Sequence, residues 1–141
     1  MQDWDEQAEA IRTRLLTAVR ELRDGLILQD AETESRPVTL PVAYVVMARA
    51  EFRPSGGHRT DATTTWQVLV RSKNMDGVTG ALSLADRCVD ALTGFEPGAD
   101  CDPLTPVRCE YFGEATRTEP AYIITFTTMA DQIPPEFFST C

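Results

Sequence analysis

Lysine is almost missing from this chain of 141 residues: Lys73 stands alone, and arginine supplies the rest of the 13 basic side chains. With 22 acidic residues the formal net charge is −9. That deficit of positive charge argues against sequence-independent nucleic-acid binding, which needs basic patches. Histidine also occurs once, as His58. A lone imidazole leaves little room for a His-based metal set or relay. The four cysteines, Cys88, Cys101, Cys109 and Cys141, form no CxxC pair, so a zinc site has no spacing to build on. No apolar run is long enough to cross a bilayer. Met1–Glu9 is acidic and lacks the apolar core of a signal peptide, so free thiols in a reducing cytoplasm are the expectation. There is no GxGxxG and no GK[ST]; Gly56-Gly57 has no helix start directly after it. No repeat or low-complexity tract is present.

What is there is an ordinary globular composition, 43% hydrophobic and 25% charged, in a length that fits one domain over residues 1–141. Residues 1–5 and 130–141 are expected to be flexible or partner-docking ends. Arginine in place of lysine fits either coding-sequence bias or an interface, where the guanidinium fork pairs with carboxylates.

The segment from Thr63 to Pro97 anchors the reading. Trp66, Val68 and Val70 alternate with polar neighbours, as in a half-buried strand. Asn74-Met75-Asp76-Gly77 breaks it. From Thr79, the stripe Ala81, Leu84, Ala85, Cys88, Val89 and Leu92 follows a helical period, with Gly94 as its C-terminal stop. Cys88 lies on that stripe and reads as a small core residue. Before it, Trp4, Ala8, Ile11, Leu15, Ala18 and Leu22 predict a helix over Asp3–Arg23, capped by Asp3 and stopped by Gly25. Its acidic start and basic end follow the helix dipole. Leu26-Ile27-Leu28 fits a brief strand or a segment packed beneath that helix. Pro37 and Pro41 hold the next approach extended, and Val42–Ala50 predicts a strand covered on both faces. Phe52–Thr60 predicts a loop. Val107–Phe112 and Ala121–Met129 predict an antiparallel hairpin, followed by a tail from Ala130. The expected fold is α+β, a mostly antiparallel four-stranded sheet with two helices packed on it, in the order α-β-β-α-β-β.

Chemistry is thin. His58 sits beside glycines, with Ser55 and Ser72 near only in sequence. Asp100, Cys101 and Asp102 mix hard and soft ligands and match no calcium loop. Glu110 and Glu114 have no neighbours that would split their acidities. Catalytic, cofactor and metal sites are therefore expected to be absent. Two segments suggest contact instead. Arg53, His58 and Arg59 form the most basic stretch of an acidic chain, either a solvated loop tip or an arm reaching a neighbour. Phe137 and Phe138 near the end must dock somewhere, on this subunit or the next.

The order of pieces carries a resemblance. A Pro-led apolar strand, Leu40-Pro41-Val42-Ala43-Tyr44-Val45-Val46, precedes a Gly-containing loop and the strand Trp66-Gln67-Val68-Leu69-Val70-Arg71. A helix from Gly80 closes on Ala91-Leu92-Thr93-Gly94-Phe95-Glu96-Pro97. This resembles the tail terminator (tail completion) proteins of long-tailed bacteriophages, in particular the Mu-like tail protein family. In that family Leu-x-Gly-aromatic-x-Pro ends the second helix. The likeness runs roughly from Glu6 to Met129. It implies a non-enzymatic virion protein at the head-proximal end of the tail, assembled in the host cytoplasm. Such proteins form a hexameric ring of self copies that caps the tail tube protein, ends its polymerisation and presents a surface to head-completion or neck proteins. Genomic DNA passes through without specific binding, and no membrane or cofactor is involved. A ring needs unlike patches that meet head to tail; the Arg53–Arg59 loop and the acidic first helix turn are candidates, and Phe137 and Phe138 are candidates for subunit or tube contact. A neck or head-completion ring, and a small cytoplasmic ligand-binding domain, are the competing expectations.

Overall fold

The computed structural model describes residues 4–28, 38–54, 60–99, 101–112 and 119–133. Its elements are α1 (Trp4–Ala18), β1 (Asp24–Ile27), β2 (Val42–Pro54), β3 (Thr60–Arg71), α2 (Ala81–Leu92), β4 (Thr105–Tyr111) and β5 (Ala121–Ile133). The strands form one sheet in the order β1-β2-β3-β5-β4. All pairings are antiparallel except β1 with β2, which is parallel. The class is α+β as expected, but the sheet has five strands and is mixed, not four-stranded.

The extra strand explains why the first helix is shorter than its apolar spacing predicts. Helix α1 stops at Ala18, yet Val19 and Leu22 stay buried. The chain turns over residues 19–23, and the Arg23 N–H donates to the Pro41 carbonyl at 2.8 Å. Asp24 then opens β1 beside Val42. Gly25 is thus a strand residue and not a helix stop. A side chain there would meet Leu16 at 3.2 Å, so the glycine permits close approach of α1 to the sheet edge. The expected Asp3 cap lies outside the described residues.

Both helices lie on one face of the sheet. Ile11, Leu15, Val19, Leu84, Cys88 and Leu92 meet Ala43, Val45, Trp66, Val68, Val70, Ile124 and Phe126 in a single core. The alternation in β3 is strict, with Ala62, Thr64, Trp66, Val68 and Val70 inward. Of the strand expected to be covered on both faces over Val42–Ala50, only Val42–Val45 are buried, and Ala48 and Arg49 are exposed. On the face away from the helices, Val42 and Tyr44 pack with Leu26, Leu28, Val38, Leu40 and Leu69. Beyond Val45 the strand emerges, and residues 51–54 are exposed. The segment expected to be a loop from Phe52 to Thr60 therefore begins and ends as paired strand: Phe52 faces Ala62 and Pro54 faces Thr60. Likewise β5 runs on to Ile133, past the predicted end at Met129, because Thr60–Thr63 extend the β3 ladder beside it.

Arginines tie the helix layer together. The Arg14 Nε donates to the Ala91 carbonyl at 2.9 Å, and its guanidinium lies 5.8 Å from the Phe95 ring centre. Arg87 pairs with Glu21 and donates to the Val78 carbonyl. The Arg87 hydrogen bond is the main reason the half-buried Glu21 carboxyl sits below its usual range.

Cys88 is fully buried on α2, and burial pushes its thiol up to about 12. The folded state holds that proton while the unfolded chain releases it near pH 9, so this contribution is intact below pH 9 and is lost as pH rises from 9 towards 12. Cys101 is also buried, whereas Cys109 is exposed. Alkylation followed by peptide mapping should therefore modify Cys109 in the native protein and Cys88 only in denaturant. Modification of Cys88 as fast as Cys109 in buffer would contradict the packing.

Candidate assembly surfaces

Among the described residues, no group of three His, Cys, Asp or Glu side chains is arranged to hold a metal ion. The Cys101 backbone forms a bridge with Ala130, and the Asp102 N–H donates to the Met129 carbonyl at 2.8 Å, so this segment is bound along β5. Ser72 Oγ donates to the Thr79 carbonyl at 2.5 Å and serves the turn before α2. His58, Ser55 and Asp100 lie outside the described residues.

Of the five contact residues expected from sequence, Arg53 is described; His58, Arg59, Phe137 and Phe138 fall outside the described residues. Arg53 is exposed near the end of β2 and faces Asp61 across the ladder. Beside it, Phe52 is 46% exposed, and the Trp4 ring lies 6.4 Å from it, tilted by 41°. The first turn of α1, with Asp5 and Glu6, thus sits at the same end of the subunit as the base of the β2–β3 arm. Phe52, opposite the inward Ala62, is on the helix side with Trp4, whereas Arg53, opposite Asp61, is on the other face of the sheet. The Trp4 indole N–H is buried with no hydrogen-bond partner among the described residues.

A second apolar patch lies at the opposite end of the sheet, and sequence periodicity did not indicate it. Met75, Val78 and Leu82 are exposed in and after the turn that leads into α2. Met75 Sδ accepts from the Tyr122 hydroxyl at 3.8 Å, and Tyr122 meets Tyr111 edge-on at 5.7 Å. Met75, Leu82 and Asp86 line a shallow concavity there. Residues exposed singly need no explanation, but these are joined through ring and sulfur contacts.

The third surface is the β4 edge. Its alternation suggests a half-buried strand, yet all seven residues are exposed, Val107 by 51% and Tyr111 by 45%. Pro106 is the sequence signal that marks it, because proline is tolerated on edge strands and not in sheet centres. The Cys109 thiol is pushed up by partial burial first, then by the nearby Asp86 and Glu110 carboxylates.

Among the described residues these surfaces present a strand edge, aromatic rings and charged side chains. The chain shares its fold with a chain from the structure described as "Virion of native gene transfer agent (GTA) particle", at a TM-score of 0.52 and 17% identity over 90% of each chain. No curated protein matches the sequence. The Gp37 protein family matches residues 40–136, from the entry into β2 through the whole of β5. The chain belongs to the Gp37 protein family.

Proposed function

We propose that this chain is a structural subunit of a phage-type or gene-transfer-agent-type virion, and that it acts as a tail terminator. Copies close into a ring, of six in the resemblance noted above, that caps the tail tube, stops its growth and offers a face to the neck. The observation that carries the virion reading is the fold shared along 90% of both chains with a component of a gene transfer agent particle. Family membership supports it. The tail-terminator role rests on the order of elements and on Leu92-Thr93-Gly94-Phe95-Glu96-Pro97.

In this reading the overhanging β2–β3 arm, with Arg53, His58 and Arg59, contacts a neighbouring subunit or the tube. Phe137 and Phe138, which follow β5 in sequence, do the same. The net charge of −9 repels copies from one another, so contact must come from such local patches. The same charge keeps a channel wall from retaining passing phosphates.

Tail length in particles assembled without this protein tests the role. A terminator's loss yields overgrown tails. A head-completion protein's loss leaves tails of normal length and heads that leak DNA, and that outcome would reassign the chain to the neck.

A further inference from the structure

The bare edge of the sheet is complementary to itself. Strand β4 borders β5 on one side and nothing on the other among the described residues. The Phe112 N–H donates to the Ala121 carbonyl at 2.9 Å, which fixes the phase of the ladder. In an antiparallel pair, inward and outward backbone groups alternate. Arg108 and Glu110, opposite Thr125 and Ile123, therefore bond towards β5, while Cys109 and Tyr111 turn their N–H and C=O groups outward. The other border, β1, offers much less. It has four residues, and its Gly25 carbonyl already accepts from Arg12 Nε at 2.7 Å.

The order Val107-Arg108-Cys109-Glu110-Tyr111 reads the same in kind from either end: apolar, charged, thiol, oppositely charged, apolar. A second β4 laid antiparallel about Cys109 places each Arg108 opposite Glu110 of the other copy. Each Val107 falls opposite the other copy's Tyr111, and the two Cys109 residues face each other. Outward Cys109 groups then form the central hydrogen-bonded pair. The charges occupy the adjacent narrow positions, where Cα atoms lie about 4.5 Å apart and opposite charges attract best. We propose that two copies of this chain pair β4 to β4 in this register, joining their sheets into one. Pro106 and the register shift between Pro106 and Arg108 confine the ladder to Val107–Tyr111, so the dimer is reversible. The contact is two-fold and independent of the ring reading, whose contacts are head to tail.

Cross-linking of the full chain tests it, in a Cys141→Ser background that leaves Cys109 as the exposed thiol among the described cysteines. Diamide takes two electrons and two protons from two Cys109 thiols, leaving one disulfide between copies. The Cα separation of a hydrogen-bonded pair, about 5.5 Å, suits that bond. The expected result is a concentration-dependent cross-linked dimer that Cys109→Ser abolishes, while sedimentation still detects the Cys109→Ser dimer. Arg108→Glu or Glu110→Arg alone should cut the cross-link yield and raise the dimer dissociation constant about tenfold or more. The double variant Arg108→Glu/Glu110→Arg should restore both, since it reverses each pair. Circular dichroism checks that each variant is folded. No Cys109 cross-link in the Cys141→Ser chain, or a folded double variant no better than the singles, overturns the pairing, whether or not tails overgrow without the protein.

Discussion

Trp66→Ala should destabilise the domain by about 3–5 kcal/mol, the range for removing a large aromatic from a packed core. Trp66 is 0% exposed at the centre of β3, with Met47 and Phe126 as its ladder neighbours. Its indole N–H donates to Thr64 Oγ1 at 3.2 Å. Thr64 Oγ1 in turn lies 3.4 Å from the Thr128 carbonyl, and Thr128 Oγ1 donates to the Asp102 carbonyl. The ring therefore fills the core and orients a buried polar chain that ties β3, β5 and the segment before β4 together. A loss of this size is a large share of a domain's typical 5–15 kcal/mol. Denaturant unfolding measures it, and a loss under 1 kcal/mol would mean that Trp66 is not central to the packing.

Gly80→Ala should cost about 1–3 kcal/mol, because it forces a close-packed turn apart. A Cβ at Gly80 would lie 2.5 Å from the Asp76 carbonyl carbon and oxygen and 2.6 Å from the Met75 oxygen. Backbone atoms cannot step aside as the end of a flexible side chain can. Neighbouring carbonyls of that turn serve the start of α2. The Ala81 N–H donates to the Asn74 carbonyl at 2.8 Å, and the Gly80 N–H to the Gly77 carbonyl at 3.0 Å. Gly80 carries no side chain to cap the helix, so these backbone bonds replace the usual Ser, Thr or Asp cap. Gly77 is the internal control. Its φ is +91°, but nothing lies within 4 Å of its missing Cβ. Gly77→Ala should cost only the left-handed penalty of about 1 kcal/mol. A Gly80→Ala protein with wild-type stability would refute the tight turn.

Both sites show what a single chain of residues discloses and what it hides. The inward face of β3 was legible, since Trp66, Val68 and Val70 alternate without interruption and β-branched or aromatic residues are strong strand formers. The α2 stripe was equally plain, and Gly94, at φ +82°, sits where the helix stop was expected. Gly80 and Gly25 were not legible in these roles. A glycine needed for close approach looks like any other until its neighbours from distant sequence are in place. Strand β1 was hidden for a related reason: four residues carry too little period to separate a strand from a buried turn, and parallel pairing with Val42–Val45 decides it. The β4 alternation, with apolar Val107, Cys109 and Tyr111 on one side, marks a strand but not its place in the sheet. Edge position, which alternation does not encode, leaves them exposed. The contact residues Arg53, His58, Arg59, Phe137 and Phe138 were drawn from local charge and aromaticity. The structure adds the ring pair of Trp4 and Phe52 at the end of β2 that carries Arg53.

Electron cryomicroscopy of intact particles at the junction of head and tail tests the ring most directly. The expected result is a closed ring of copies of this five-stranded fold, seated on the last ring of tube subunits, with the β2–β3 arms touching a neighbour or the tube. Density for this fold elsewhere in the particle, or a junction that lacks it, would contradict the proposed role.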